Sequence, residues 1–427
     1  MHSSPTRNKG KIIFSLSSAL VLLVAVYFFD NVQFSFGGLP TVSTMMENHR
    51  LKELEKHPEK LEVDTNRVFI NSAYDQEFVS DYYGKVSITD RAMLLRFLRD
   101  LEKYDNYREV FIDIRFEKGL ETEHDSALVE QLVNMRNVFV AKHWDYEAKA
   151  DYPVIDDRIS EHSAYADYGS TLFNNSFTKY QFLQPGGPSA ALKIYEDLDG
   201  RGIKRFGHNF FSIYWDRGLC FNSQFIRIAE DYSYGDEFRL NGDDKFHNLG
   251  NGIYGYMAEY PEVFDRFFKD LENKIVIVGD FVFDTHDTYY KKQPGPYLNY
   301  LAYTSLHEGS HIVNPWISIV VYLLYVLILL IIVEYVWPAN IFTDSIRKMN
   351  IWISERSDRI YRWRLFRWMR GLRQLIHFTL SFLGYAFLFS LLCFLLSLVT
   401  GFYISVFIPS VFFSLVEFGY KYKSHEN

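Results

Sequence analysis

The chain has few cysteines and no catalytic signature in its usual structural context. Cys220 and Cys393 are its two cysteines among 427 residues, which is too few for a cysteine metal site. The sequence contains no G-x-S-x-G elbow. The letters H-E-x-x-H occur at His307–His311 but run past the end of the helix predicted at Pro296–Gly309, and the letters G-x-G-x-x-G occur at Gly250–Gly255, with no strand predicted before them. These patterns therefore do not indicate a serine hydrolase, a helix-borne zinc site or a nucleotide-binding loop, and we expect no catalytic residues.

Long apolar runs are present instead, one near the start of the chain and three in its last quarter. Crossing the ~30 Å hydrocarbon layer takes about 20 apolar residues. The four runs are Ile12–Phe29, Trp316–Trp337, Phe378–Phe402 and Tyr403–Phe418. They predict four transmembrane helices, at 12–29, at 316–337 and as a hairpin over 377–418. The fourth run is short and contains Pro409.

Basic residues beside these runs predict the orientation, because loops rich in Lys and Arg stay in the cytoplasm. They concentrate in the N-terminus (1–11), in the loop 338–376 and in the tail 419–427. We therefore expect both termini in the cytoplasm and 30–315 outside it, as in a multi-pass protein of the inner membrane. A cleaved signal peptide is the alternative for the first run, but Tyr27–Asp30 lacks the small residues of a cleavage site.

Charge narrows the choice of partners. The net charge is -8 although the loop 338–376 is basic, so the outer domain is acidic, which disfavours nucleic acid as a partner.

The two cysteines are predicted to lie far apart. Cys220 falls in the outer domain and Cys393 in the third span, so they cannot form a disulfide bond with each other.

Short strand patterns alternate with amphipathic helices in the outer domain. The strands are predicted at Val68–Asn71, Val110–Phe116, Val138–Lys142 and Lys274–Asp280, and the helices at Met45–Lys56, Asp90–Tyr104, Asp125–Met135 and Pro296–Gly309. This alternation predicts an α/β domain, with a mostly parallel sheet and flanking helices in Rossmann-like layers. The aromatic-rich segment His143–Leu271, with turn signals at Gly186–Gly187 and Asn241–Gly242, is interpreted as an insertion over one end of the sheet.

Three segments resemble a known family. They are VFINSAYDQEFV, EVFIDIRFE with HDSALVEQL and NVFVAKH, and NKIVIVGDFVFDTHDTYYKKQPGPYLNYLAYTSLHEGSHIV. They are similar to the CHASE2 domain, the second type of extracellular sensory domain of cyclases and histidine kinases. One span, the domain and then three closing spans is also the arrangement that this resemblance implies. Members usually continue into a cytoplasmic output domain, whereas this sequence stops at Asn427, so we expect a separate polypeptide to supply the output.

Polar residues at the carboxyl ends of the strands are the ligand-binding candidates, because open α/β sheets bind ligands there. They are Asn71, Asp75, Asp113, Arg115, Lys142, His143 and Asp280. Asp113 could instead be a buried partner of Arg115 or Lys142. Asp280, Asp284, His286 and Asp287 could ligate a divalent cation such as Mn, Zn or Ca. The alternative for this segment is a turn held by side-chain hydrogen bonds to the backbone, and no other cofactor is expected.

The basic loop contains an amphipathic helical pattern. Its apolar side comprises Tyr361, Leu365, Trp368, Met369 and Leu372, and its other side Arg356, Arg359, Arg362, Arg367, Arg370 and Arg373. Such a helix lies at an anionic membrane surface. It could be a topology anchor, or a lever that passes motion to a cytoplasmic partner.

Together these patterns predict a membrane sensor that binds an unknown extracytoplasmic ligand or protein and acts on a cytoplasmic or membrane protein partner. The sequence leaves open whether the protein also forms a homo-oligomer. The alternatives are a scaffold subunit of an envelope complex, which would show an exposed aromatic patch and a filled sheet edge, and a metal-dependent extracytoplasmic hydrolase.

Overall fold

The computed structural model describes residues 5–31, 66–81, 84–145, 148–166, 179–207, 211–225, 246–288, 292–335, 362–400 and 406–424. Their contacts form two compact units, an α/β domain and a group of helices from both ends of the chain. The predicted helix at Met45–Lys56 and the predicted turn at Asn241–Gly242 lie outside these residues.

Six parallel strands form the central sheet. In chain order they are β1 (Arg67–Asn71), β2 (Glu109–Asp113), β3 (Val138–Lys142), β4 (Ser163–Tyr165), β5 (Phe246–Asn248) and β6 (Ile275–Gly279), and their spatial order is β5-β1-β6-β2-β3-β4. The predicted parallel α/β sheet is confirmed. The middle segment, which we expected to lie over one end of the sheet, supplies both edge strands.

Helices cover both faces of this sheet. They are α2 (Arg91–Tyr104), α3 (Asp125–Asn134), α4 (Asp157–Glu161), α5 (Ala190–Asp199), α6 (Pro261–Lys269) and α7 (Gly295–His307). Val68 and Ile70 pack in one core with α2, α3 and α6, while Phe69 points into a second core with α5 and α7. Strands buried on both faces are typical of parallel sheets, and each fully buried side chain contributes about 1.5–3 kcal/mol.

Local hydrogen bonds determine where two of these helices begin and end. The Asp90 carboxylate accepts from the Met93 backbone N–H, and the Ser189 hydroxyl accepts from that of Leu192, so each satisfies an N–H in the first turn of its helix. Helix α5 ends at Gly200, whose φ of 63° is left-handed and favours glycine.

Short antiparallel pairs surround the main sheet. They are Gln76–Asp81 with Gly84–Thr89, Trp144–Asp145 with Ala150–Asp151, Lys179–Gln181 with Ser223–Phe225, Leu183–Gln184 with Gly187–Pro188, and Thr285–Asp287 with Lys292–Pro294. Three further strands, Lys204–Phe206, Ile213–Trp215 and Leu219–Cys220, form an antiparallel sheet that we call the small sheet. A π-helix (Leu249–Tyr256) and a 3-10 turn (Met257–Glu259) follow β5.

The second unit consists of α1 (Pro5–Asp30), α8 (Pro315–Tyr335), α9 (Arg362–Thr400) and α10 (Phe407–Ser424). Three of these helices contain segments long and apolar enough to cross a membrane, Lys9–Phe29, Pro315–Val333 and Phe378–Leu395. The apolar part of α10, Phe407–Gly419, is shorter. The structure thus supports three of the four predicted spans by length and composition.

Helix α9 is longer than a bilayer requires. Its 39 residues extend over roughly 58 Å at 1.5 Å per residue, against ~30 Å of hydrocarbon. From Arg362 onward, the segment predicted as a separate surface helix is therefore continuous with the third span. The part of that segment before Arg362 lies outside the described residues.

Aromatic and polar side chains join the helices of this unit. Tyr325 contacts the rings of Phe389 and Phe413, and the Tyr322 hydroxyl donates to the Leu16 carbonyl across 3.3 Å. These contacts pack α8 against α1, α9 and α10.

Candidate functional site

Asn71 lies at the carboxyl edge of the sheet, in register with Gly279, which is in turn in register with Asp113. Its side chain is buried. The Asn71 amide donates to Asn248 Oδ1 at 2.8 Å, and its oxygen accepts from the backbone N–H groups of Ala73 and Phe281. These bonds join the ends of β5, β1 and β6, so Asn71 has a structural role that the sequence analysis did not predict.

A chain of hydrogen bonds leads from the end of β2 to α7. Asn299 is fully buried; its amide donates to Asp113 Oδ2 at 3.0 Å, and its oxygen accepts from the Tyr180 hydroxyl at 2.6 Å. The sequence analysis offered Arg115 or Lys142 as partners of Asp113, and the structure adds Asn299. Sequence reasoning missed Asn299 because its apolar helix carries no polar motif.

Asp75 holds the start of the π-helix. Its Oδ2 accepts from the Gly250 backbone N–H at 2.9 Å, and a Cβ on Gly250 would lie 1.9 Å from Asp75 Oδ1. Burial raises the pKa of the Asp75 carboxyl, with a smaller contribution from the negative charge of Asp90, while the hydrogen bond from Gly250 opposes the rise.

The remaining ligand candidates lie farther along the same edge. The Lys142 ammonium lies 4.4 Å from the centre of the Tyr165 ring and 3.5 Å from Asp151 Oδ2. The His143 carbonyl accepts from the Tyr152 backbone N–H. Arg115 is exposed and forms an ion pair with Glu117 at 3.2 Å. These polar groups contact neighbouring elements and do not converge with Asp75 on a single point.

The segment after β6 forms a turn and a hairpin. Asp280 Oδ1 accepts from the backbone N–H groups of Val282 and Phe283. His286 Nε2 lies 3.3 Å from Asp284 Oδ1, and Asp287 is exposed. No group of three or more His, Cys, Asp or Glu side chains in the described part of the chain is arranged to hold a metal ion. The hydrogen bonds of Asp280 agree with the alternative of a turn held by its side chains.

A buried polar cluster at the opposite end of the sheet was not anticipated. Asp216 Oδ2 accepts from the Tyr195 hydroxyl at 2.9 Å and lies 3.1 Å from His311 Nε2 and 3.5 Å from Arg217 Nε. Burial lowers the pKa of His311, against the opposing effect of Asp216. The residues of this cluster, Tyr195, Asp216 and His311 among them, come from separate parts of the sequence, so no local spacing could have revealed the cluster.

The nearby Cys220 thiol is buried, and burial raises its pKa to about 12. A thiol of this kind stays protonated and unreactive at neutral pH. Cys220 and Cys393 are both free, as the sequence predicted.

The segments that flank α1 and α8 attach to one short stretch of chain. Asn31, which follows α1, accepts through Oδ1 from the Asn222 backbone N–H at 2.6 Å. The Phe221 backbone N–H donates to the His311 carbonyl, and that of Val313 donates to the Leu219 carbonyl, each at 2.8 Å. Residues 219–222 therefore bind Asn31 and the segment 311–313 within the α/β unit.

Comparisons with protein-family models, with curated proteins and with solved structures found no match to this chain. The sequence and the structure by themselves establish an α/β domain with a six-stranded parallel sheet, together with three helices that are long and apolar enough to cross a membrane.

Proposed function

We propose that this chain is a membrane sensor whose α/β domain binds an extracytoplasmic ligand or protein and relays its state through the helices to a separate protein. Orientation with the domain outside the cytoplasm is part of this proposal. The observation that carries it is the course of α7, which runs from the carboxyl edge of the sheet toward the segment that enters α8.

The first turn of α7 is held at the ligand edge. The Gly295 backbone N–H donates to the Asp284 carbonyl at 2.9 Å, and Asn299 contacts Asp113 one turn later. A Cβ on Gly279 would lie 2.5 Å from Pro296 Cγ, so the end of β6 and the start of α7 touch. A ligand that changes this edge would move the start of the helix.

The last turn of α7 is held at the opposite edge. His307 Nδ1 lies 3.1 Å from Asp199 Oδ2 on α5. The chain then passes through His311, next to Asp216, and reaches α8 at Pro315. A thirteen-residue helix behaves as a rigid element, so displacement at its start is carried to its end.

The CHASE2 resemblance of the strand ends and of the α7 segment supports the same function. A family of this kind detects signals outside the cell and leaves catalysis to a cytoplasmic domain, which here would be a partner protein. We propose no enzymatic activity for this chain and no resident cofactor.

A scaffold subunit of an envelope complex is the second candidate, and an exposed aromatic patch favours it. Tyr74 and Phe283 lie at the carboxyl edge with their ring centres 6.4 Å apart, and Phe78 is nearby in sequence on a hairpin. All three are more than half exposed, as docking surfaces on protein partners often are.

Hydrogen exchange on the full-length protein in lipid nanodiscs tests the sensor proposal. Asp113→Asn removes the charge that accepts from Asn299, and we expect it to change exchange in the peptide Glu308–Val313. Asp280→Asn is the matched control, since it makes the same change on the neighbouring strand end and keeps an oxygen for the Val282 and Phe283 N–H groups. Unchanged exchange at 308–313 in both variants would contradict transmission through α7.

Crosslinking in native membranes, followed by capture of the chain and mass spectrometry, distinguishes the two candidates. A sensor should retain a partner with a kinase, cyclase or other output domain when Phe283 is changed to Ser. A scaffold should lose its envelope partners in that variant, because Phe283 would be part of the interface.

A further inference from the structure

The small sheet has one face directed outward that combines apolar and basic side chains. Lys204 pairs with Trp215 and Phe206 with Ile213, so these four side chains lie on the same face. Tyr214, between Ile213 and Trp215, is buried in the domain core on the other face. Phe206, Ile213 and Trp215 are 56%, 44% and 48% exposed, which is high for three adjacent large apolar side chains.

The charge around this face has the opposite sign to that of the whole chain. Residues 201–217 contain four cationic side chains, Arg201, Lys204, Arg205 and Arg217, and a single acidic one, Asp216. Asp216 is buried, and its carboxylate is bonded to Tyr195 and next to His311. An acidic protein with net charge -8 therefore presents a basic surface here, as a contact with an anionic partner requires.

Hydrogen bonds connect the small sheet to Val313, the last residue of the α/β unit. Trp215 pairs with Leu219, and Leu219 accepts from the backbone N–H of Val313. Two strand spacings separate the backbones of Trp215 and Val313, or roughly 10 Å. Val313 precedes Pro315, the first residue of α8, by two residues, which extend at most ~7 Å.

The first turn of α8 has the composition expected where a transmembrane helix enters the membrane surface. Trp316 is 76% exposed there, and tryptophan is enriched where a transmembrane helix enters the headgroup layer. Headgroups add roughly 5–7 Å on each side of the hydrocarbon. Trp215 is thus tethered within reach of that layer if α8 crosses the membrane.

We propose that the outward face of the small sheet lies on the bilayer surface, with Phe206, Ile213 and Trp215 in the headgroup region and Lys204 on anionic lipid headgroups. Apolar side chains that enter this layer bury surface, and neighbouring cations add attraction to anionic lipid. Because Leu219 belongs to the same sheet, contact with lipid would also constrain the segment that enters α8.

Depth-dependent quenching on the full-length protein in nanodiscs that contain phosphatidylglycerol tests this proposal. Ile213→Cys is labelled with an environment-sensitive fluorophore, and lipids carrying a nitroxide just below the headgroup serve as quenchers. Phe283→Cys, at the opposite edge of the main sheet, is the matched exposed control, and Trp316→Cys reports on α8. Cys220 and Cys393 are buried, so the unaltered protein provides the labelling blank.

We expect severalfold stronger quenching at position 213 than at position 283, and quenching at position 316. Lys204→Glu should reduce the quenching at 213 and weaken its dependence on phosphatidylglycerol. Quenching at 213 no greater than at 283 would overturn the proposal. A blue-shifted label at 213 without quenching would also overturn it and would indicate a protein surface there. Absence of quenching at both 213 and 316 would overturn the membrane assignment of α8 as well.

Discussion

Asn299 is the residue whose loss should most affect the carboxyl edge. Asn299→Ala removes the acceptor of the Tyr180 hydroxyl and one hydrogen-bond donor to Asp113. An unsatisfied buried polar group costs about 1–3 kcal/mol, so we expect a decrease of about 2–4 kcal/mol in the unfolding free energy of the domain, measured by pulse proteolysis of the full-length protein. Thr304→Ala, which removes only a bond to Leu301 within α7, should have a much smaller effect. Equal losses in the two variants would contradict the role given to Asn299.

Arg91 is a buried cation that the helical pattern did not reveal. Its Nε lies 3.6 Å from Asp125 Oδ1, its Nη2 donates to the Arg115 carbonyl, and its guanidinium stacks 4.2 Å from the centre of the Phe116 ring. Burial lowers the pKa of Arg91, against the opposing charge of Asp125. It therefore joins the first turns of α2 and α3.

Arg91→Met should leave Asp125 buried without its counter-charge and cost about 3–5 kcal/mol of stability. Arg115→Met removes only an exposed pair with Glu117, worth about 0–1 kcal/mol. Urea unfolding followed by proteolysis of the domain measures both changes. A small loss for Arg91→Met would contradict this role and would indicate that water or another cation takes the place of the guanidinium beside Asp125.

Glu109 gives the domain a pH dependence. Its side chain is fully buried, and burial, with the charge of Asp197, raises its pKa from 4.5 to about 9. Between these values the folded state holds a proton that the unfolded state has lost. The stabilisation is complete below about pH 4.5 and is lost as pH rises toward 9.

Glu109→Gln replaces the neutral acid by a neutral amide, so its stability relative to the unaltered protein should increase with pH. The slope should reach up to about 1.4 kcal/mol per pH unit between roughly pH 5 and 9. Glu130→Gln, at an exposed position on α3, should show no such slope. Parallel pH profiles for the Glu109 variant and the unaltered protein would contradict the raised pKa.

Strand β6 and helix α7 pack closely against each other. A methyl group on Gly279 would lie 2.5 Å from Pro296 Cγ and 3.2 Å from Asp113 Cβ, so Gly279→Ala must displace the first turn of α7. Overpacking of this kind costs about 1–3 kcal/mol. Gly218→Ala, whose Cβ would meet Ile312 Cγ2 at an ordinary 3.7 Å, is the control. Thermal unfolding monitored by hydrogen exchange of α7 should separate the two variants, and an equal response would contradict the close packing.

The central elements were predictable because their patterns are local. Strand β6 is an unbroken β-branched run, and α2 carries Leu94, Leu98 and Leu101 at helical spacing beside its Asp90 cap. Ala92, which helical spacing places beside Leu95, is exposed, and Arg91 is buried instead. The burial of Arg91 depends on Asp125 from another helix, and the periodicity of one helix carries no information about such a partner.

The candidate site was predictable only in its position. Parallel strands place Asn71 and Asp113 at one edge, as expected, but their hydrogen-bond partners Asn248 and Asn299 come from regions more than 170 residues away in the sequence. Edge strands β4 and β5 have three residues each. Their identity depends on pairing with β3 and β1, not on their own composition.

At the scale of the whole molecule, the topology depends on whether α10 crosses the bilayer. Its 18 residues extend over about 27 Å, close to the ~30 Å of hydrocarbon, although its apolar part is shorter. Lys421 and Lys423 follow that part and favour a cytoplasmic end. Reporter fusions after Gly10 and after Lys423 should therefore report the same side, with a fusion inserted between Asp81 and Gly84 on the other. Opposite sides for the two ends would show that α10 does not cross.

Packing between α1 and α8 has a consequence for the folding of the domain between them. Tyr322 and Leu16 join these helices, so the chain from Asp30 to Pro315 is a loop whose two ends stay together when the domain unfolds and the helices remain paired. Closing a loop of this length reduces the entropy of the unfolded chain by an amount worth about 6 kcal/mol in the relation used for disulfide bonds. With Cys220 and Cys393 both free, the helix pair takes the place of a covalent crosslink. A domain separated from its two helices would lose this constraint, and its folding would have to offset the full conformational entropy of an open chain.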